Sequence, residues 1–370
     1  MTRALAFLSS PPHDEYGSRF SRLRWRRAVA PDRVAVWDTL SPARASLGGA
    51  DSWVVVLEES ALPAPGGVPE PPAGSARFAE AAIPSDPPFV HTLRELEAAQ
   101  LRGTPEGGPG GPGRTVALAF RSGQLTPAQG ETVGAFLGRL STLASTRPDP
   151  AFRVIRFDDP SGRERPELTR RLPRGPARIL DVGCGAGGGI ASASASNPGW
   201  HVTGIERDPD LALRARDRCH RVVEGDLLEV LPRLAAAGEE FDVIVFADVL
   251  EHVEDPVAAL RAGRRLAAAD AILVASVPNA GHLSIVRDLI QGRFDPIPAG
   301  LCDSGHVRWF TRSWLSEALE EAGWRVRAIE GERGAPAPDA AAFLDLAASW
   351  PGSDLESLRT YQWVAVCGAA

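Results

Sequence analysis

The chain has 370 residues, 44% hydrophobic and 24% charged, with a net charge of −7. That length supports a large buried core and two domains. The mildly acidic balance argues against a general nucleic-acid binder, which needs a net basic face.

In chain order, Ala4–Leu8, Arg33–Trp37, Trp53–Leu57 and Val116–Phe120 are short apolar runs that predict strands. The first is too short for a signal peptide or a membrane span. Ala61–Gly74 and Gly103–Gly113 are rich in proline and glycine and predict loops. Thr92–Leu101 and Thr126–Ser145 predict helices. In the second, Thr126 can N-cap, Pro127 suits the first turn and Gln129 completes a capping box. Val133, Phe136, Leu137 and Leu140 then share one face. These elements define a small α/β domain over residues 1–150, joined through Arg147–Pro150 to a second domain over 151–370. No motif in the first domain carries chemistry. Its basic run Arg19–Arg27 reads first as a solvated face, and second as a site for an anionic group.

The segment from Arg178 to Ile190 holds more information. Ile179, Leu180 and Val182 form an apolar strand that carries one acid, Asp181, and breaks into Gly183, Gly185, Gly187, Gly188 and Gly189. A helix of small residues, Ile190–Ser196, follows. Strand, glycine turn and helix let backbone approach a nucleotide-like ligand. Trp200–Arg207 predicts a second strand closed by Glu206, whose carboxylate can accept hydrogen bonds from both ribose hydroxyls. Arg221–Asp226 predicts a third, ending at Asp226. Phe241–Val253 predicts a fourth strand and a turn, and Ala271–Asn279 a fifth. Asp208-Pro and Asp255-Pro pair an N-cap with proline at the first helical position, so helices Asp208–Cys219 and Pro256–Ala267 are expected. Thr311 opens another helix, with Trp314, Leu315, Ala318, Leu319 and Ala322 on its apolar face and Gly323 at its end. Trp324–Glu330 and Tyr361–Cys367 predict the last two strands.

This ordered set resembles the class I S-adenosylmethionine-dependent methyltransferases, in the branch whose motifs read LDVGCGxG and LEHV. The resemblance runs from about Ala177 to the C-terminus. It implies an α/β, Rossmann-like seven-stranded methyltransferase sheet, with the last strand antiparallel between its neighbours. S-adenosylmethionine is the implied cofactor. Charge chemistry points the same way: Asp181 beside the glycine turn would repel a diphosphate, whereas a sulfonium and an ammonium favour acids. Gly183, Gly185 and Gly187 are expected at the cofactor's methionine end, with Asp181 beside them. Glu206 is expected on the ribose, Asp226 and Leu227 on the adenine, and Ala247 and Asp248 near the sulfonium.

Three histidines are candidate bases: His252 after the fourth strand, and His282 and His306 in an insertion that is expected to roof the acceptor site. The segment His306-Val-Arg-Trp-Phe-Thr311 resembles the family's H-x-R-x-F-T, found in members that modify sugars and other small metabolites. For His252 the competing reading is a packed, hydrogen-bonded turn histidine; for His306 and Arg308 it is local too, as supports for the following helix. The four cysteines, Cys184, Cys219, Cys302 and Cys367, show no metal-ligand spacing, and no metal is expected. The expected protein is soluble and cytoplasmic and methylates a small-molecule acceptor, foremost a sugar or natural-product hydroxyl. It has no nucleic-acid or membrane partner, and a homodimer is compatible with the sequence. A nicotinamide oxidoreductase would leave Asp226 and Leu250–Val253 unexplained. A non-catalytic methyltransferase-like binding module would require a blocked pocket. Nucleic-acid base methylation lacks its [DN]-P-P-[YF] motif.

Overall fold

Apolar runs alternating with N-capped helices can bury both faces of a sheet only as a layered α/β structure, and both halves of the chain contain a seven-stranded sheet. The computed structural model describes seven backbone strands between Arg3 and Ile155, and residues 164–297, 300–334 and 340–369. The chain divides into two units: Met1–Asp158 with Asp295–Gly305, and Asp159–Phe294 with His306–Ala370.

In the first unit the strands are β1 (Arg3–Leu8), β2 (Arg33–Trp37), β3 (Trp53–Glu58), β4 (Leu62–Pro63), β5 (Ala76–Ala82), β6 (Ala117–Arg121) and β7 (Thr146–Ile155). Their order is β2-β1-β3-β6-β5-β7-β4, with both parallel and antiparallel pairs. The four expected strands are present. β5 was not expected, and β4 lies inside a stretch read as loop. Arg147–Pro150 is part of β7, not a linker. Pro148 and Pro150 lack the amide that a ladder needs. The register slips between the Ala79 and Glu80 pairings, so part of that strand leaves the ladder. The expected helices Thr92–Leu101 and Thr126–Ser145, the loop Gly103–Gly113 and the basic run Arg19–Arg27 lie outside the described residues.

The second unit opens with α1 (Pro166–Thr169), and its sheet comprises β8 (Ala177–Val182), β9 (Trp200–Glu206), β10 (Arg221–Glu224), β11 (Phe241–Ala247), β12 (Ala267–Pro278), β13 (Trp324–Glu332) and β14 (Gln362–Ala369). The order is β10-β9-β8-β11-β12-β14-β13. The first five strands are parallel, and β14 is antiparallel to both β12 and β13. Strand order reverses between β8 and β11, which puts the crevice at the C-terminal ends of the strands around β8.

Alternation along the strands divides the core in two. Leu180, Val182, Ile244, Phe246, Leu273 and Ala275 face one layer; Ile179, Val243, Val245 and Val274 face the other. The first layer is closed by α4 (Leu227–Ala236), α5 (Pro256–Arg264) and α7 (Arg312–Glu321), through Leu231, Leu260, Leu315 and Leu319. The second is closed by α1, α2 (Ile190–Ser194) and α3 (Pro209–Ala215), through Leu168, Ile190 and Ala215. Each large apolar side chain buried this way contributes about 1.5–3 kcal/mol.

The caps are those the sequence calls for. Asp208 accepts from the amides of Asp210 and Leu211, Asp255 from that of Ala258, and Thr311 from that of Trp314. Five helices have no counterpart in the sequence reading: α1, α4, α6 (Leu283–Ile290), α8 (Ala340–Ala348) and α9 (Leu355–Arg359), of which the last three share a small cluster around Leu283, Ala340 and Leu358. The insertion after β12 is therefore partly helical. Among the described residues, no helix is long and apolar enough to cross a membrane.

Candidate active site

The turn after β8 has a conformation that glycine alone adopts without strain. Gly183, Gly185 and Gly187 have φ of +71°, +56° and +74°, a region where a side chain costs roughly 1–2 kcal/mol. At Gly183 a Cβ would also sit 2.5 Å from Val249 Cγ2. The turn is tied to β9 by the amides of Gly183 and Cys184, which donate to the Ile205 carbonyl at 2.8 and 3.0 Å.

Glu206 closes β9 and organises the same turn. Its Oε2 accepts from the Gly185 amide at 2.9 Å, and its Oε1 from the Asp208 amide at 2.9 Å. Each carboxylate oxygen has two acceptor positions, so this leaves capacity for two hydroxyls. Asp181 lies beside it, 2% exposed. Burial pushes its carboxyl up to about 7, opposed by Arg165, aided by Glu206, and lowered by a hydrogen bond from the Ile190 amide. A buried acid in this state is stabilised by an incoming cation and opposed by an anion.

Asp248, immediately after β11, is the one non-glycine residue at positive φ (53°) among the described residues. Its carboxylate is fixed from three sides. Ser276 Oγ donates to Oδ1 at 2.7 Å, Gln362 Nε2 donates to Oδ1 at 2.6 Å, and Arg165 Nη2 lies 2.8 Å from Oδ2. Burial would raise its pKa; the Arg165 charge and these hydrogen bonds outweigh that and hold it below the usual carboxylate value. Arg165 also reaches the glycine turn, its Cγ 3.4 Å from where a Cβ on Gly189 would stand. At the next strand end, Asp226 Oδ1 caps α4 through the Leu228 amide at 2.8 Å, and the residue is exposed. Leu227 packs partly buried against the core, and Ala247 is half-buried.

The three candidate histidines separate. His252 lies in a single 3-10 turn, Leu250–His252, and its ring centroid is 5.0 Å from that of His306. The His306 ring meets Trp309 at 5.6 Å, and Trp309 meets Phe294 at 4.8 Å. Glu251 fastens the two segments: its carbonyl accepts from the amides of Val307 and Arg308 at 2.8 and 3.0 Å. Ligand atoms of Glu251, His252 and His306 lie within 4.8 Å of one another, so these three could hold a metal ion. Spacing along the chain could not show this, because the group comes from two distant segments. His282 stands apart from them in role. Its Nδ1 accepts from the Ser284 amide to cap α6, and burial, then the Arg287 charge, lowers its pKa to about 4. Arg308 donates to the carbonyls of Val307 and Glu254. A groove of about 650 Å³ lined by Thr311, Arg312, Ile329, Asp354 and Ser357 is built from other elements than the glycine turn.

A family model described as a methyltransferase domain matches residues 158–329. A ubiquinone biosynthesis O-methyltransferase of Aeromonas salmonicida is 32% identical over 166 residues, 43% of this chain and 67% of that protein. One of Cereibacter sphaeroides is 34% identical over 163 residues, 42% of this chain and 64% of its own length. The chain thus spans about two thirds of the curated relatives it matches. The chain belongs to the class I S-adenosylmethionine-dependent methyltransferases. Among solved structures, a SAM-dependent methyltransferase from Archaeoglobus fulgidus aligns with 55% of this chain and 91% of its own, at 19% identity and a TM-score of 0.42.

The residues of this methyltransferase fit its cofactor. Gly183, Gly185 and Gly187 hold the turn at positive φ with Val249 packed against it, and buried Asp181 favours a cationic, phosphate-free ligand. Sequence reasoning missed Arg165, Ser276 and Gln362, which together fix Asp248. Arg165 is one of 40 arginines and stands in no motif. Ser276 meets Asp248 because β11 and β12 pair Ala247 with Ser276, and Gln362 meets it because β14 pairs that residue with Pro278 on the same strand.

Proposed function

We propose that the methyltransferase methylates a hydroxyl of a small-molecule acceptor, foremost a sugar or natural product, at the rim formed by the ends of β8, β9, β11 and β12. The observation that carries this reading is the pairing of His252 with His306 at 5.0 Å, beside the strand end where Asp248 is fixed. When bound, S-adenosylmethionine supplies a methyl group already activated by a sulfonium. Glu206 accepts hydrogen bonds from the ribose hydroxyls, and Asp226 and Leu227 border the adenine. Gly183, Gly185 and Gly187 offer backbone to the methionine end, Asp181 faces its cationic charge, and Arg165 holds its carboxylate. Ala247 and Asp248 wall the sulfonium side.

His252 or His306 takes the hydroxyl proton on an imidazole nitrogen as the acceptor oxygen attacks. His282 is reserved for its capping role. Alignment of the reactants supplies about 7–11 kcal/mol, and a base adds about 10²–10⁴ in rate. Geometry therefore dominates and the base is second. The name O-methyltransferase carried by the relatives supports a hydroxyl acceptor. We place residues 1–150 as an accessory domain and 151–370 as the methyltransferase domain.

The test is transfer of labelled methyl from S-adenosylmethionine to a panel of hydroxylated metabolites. With a true acceptor, His252→Ala or His306→Ala should lower kcat by about a hundredfold or more. Wild-type rates in both would remove the base, and label found only on amines would remove the hydroxyl acceptor.

A further inference from the structure

The proposed reaction uses no thiol, yet two of the four cysteines meet against the cofactor turn. Cys184 stands between Gly183 and Gly185 in the turn, and Cys219 follows α3. Both are buried, at 5% and 7% exposure, and unpaired in the covalent sense. Cys184 Sγ donates to the Gly185 carbonyl at 3.7 Å, within the turn itself. Gly204, in the middle of β9, makes room for them: a Cβ there would lie 2.5 Å from Cys184 Sγ and 3.2 Å from Cys219 Sγ. The two sulfurs therefore converge on a space left open by a missing side chain. The segment after α3 that carries Cys219 is tied to the glycine turn by Arg218 Nη1, which donates to the Ala186 carbonyl at 2.8 Å.

We propose that Cys184 and Cys219 form an oxidation site, at which a peroxide converts the two thiols to a disulfide that displaces the glycine turn and weakens cofactor binding. The step balances. Peroxide oxidises one thiol to a sulfenic acid and leaves as water; the other thiol attacks that sulfur, forms the S–S bond and releases a second water. Two electrons pass from the thiol pair to the peroxide. A disulfide requires the sulfurs to close to about 2.05 Å, well inside hydrogen-bond range. Cys184 has glycine on both sides, so the turn is the part that yields. Its movement disturbs the Gly185 amide that Glu206 holds at 2.9 Å. The adjoining Cys219 side chain, then burial, pushes the Cys184 thiol up and keeps it protonated. The pair is therefore a slow reactant, and excess oxidant is the appropriate probe.

The effect on binding rests on the cofactor reading of the turn, and the experiment separates the two. The full chain is treated with excess hydrogen peroxide, mapped by non-reducing peptide mass spectrometry, and titrated calorimetrically with S-adenosylhomocysteine before and after. The expected result is a Cys184–Cys219 cross-link, an affinity lower by about tenfold or more, and recovery in dithiothreitol. Cys219→Ser should bind as the reduced wild type does and lose the response to peroxide. Two separate cysteines after peroxide, or a cross-linked protein with undiminished affinity, overturns the proposal. Absence of binding by the reduced protein overturns the cofactor reading and the proposed regulation with it, whatever the mapping shows.

Discussion

Asp181 and His282 titrate in opposite senses within one domain. Folding moves the Asp181 carboxyl from 3.8 to about 7. Between those values the folded chain holds a proton that the unfolded chain has released, so this contribution to stability is lost as pH rises toward 7. Folding moves His282 from 6.5 to about 4. There the unfolded chain takes the proton first, and stability is lost as pH falls from about 6.5 toward 4. His282→Asn keeps a capping acceptor without a titrating ring. Because Asp181 acts alike in both proteins, the variant should gain thermal stability relative to the wild type as pH falls across that window, and a pH-independent difference would contradict the assignment. Glu206→Ala removes a carboxylate that holds the turn and that we propose holds the ribose. S-adenosylhomocysteine affinity should drop by about 1.5–3 kcal/mol, roughly tenfold to a hundredfold. At this scale the site was half legible. Asp181, Glu206 and Asp226 end predicted strands and could be found by position. Arg165 could not, because nothing in the sequence links it to Asp248.

Among the elements, the glycine turn is the least tolerant of change. Gly183→Ala adds a positive-φ penalty of about 1–2 kcal/mol to a Cβ placed 2.5 Å from Val249 Cγ2. Lower melting temperature and weakened cofactor binding should appear together. A variant that loses neither would show that the turn has slack. Asp255→Ala, by contrast, should cost about 1 kcal/mol in stability and leave cofactor binding alone. The caps at Asp208, Asp255 and Thr311 were legible because an N-cap is a local hydrogen bond. α4 was not, because Pro232 stands inside it and interrupts the helical pattern. β12 begins at Ala267, earlier than its apolar run suggests, because Ala267 pairs with Phe241 of β11 across a register shift that precedes Ile272. The same prolines that mark a linker in Arg147–Pro150 are carried by β7 through a register shift. Where tertiary pairing overrode local propensity, the sequence was silent.

Across the whole molecule, the parallel sheet of the second unit was the most legible feature, since five apolar runs, four of them closed by an acid, leave few alternatives to it. The cluster of α6, α8 and α9 was illegible because few of its apolar positions are fully buried and its contacts are between segments far apart in sequence. The central claim is that the strand-end rim around Asp181 and Glu206 holds a positively charged, phosphate-free donor. Calorimetric titration of the intact protein with S-adenosylhomocysteine tests it most directly. Saturable binding of one equivalent is the predicted result; no heat of binding over the same range would contradict the account.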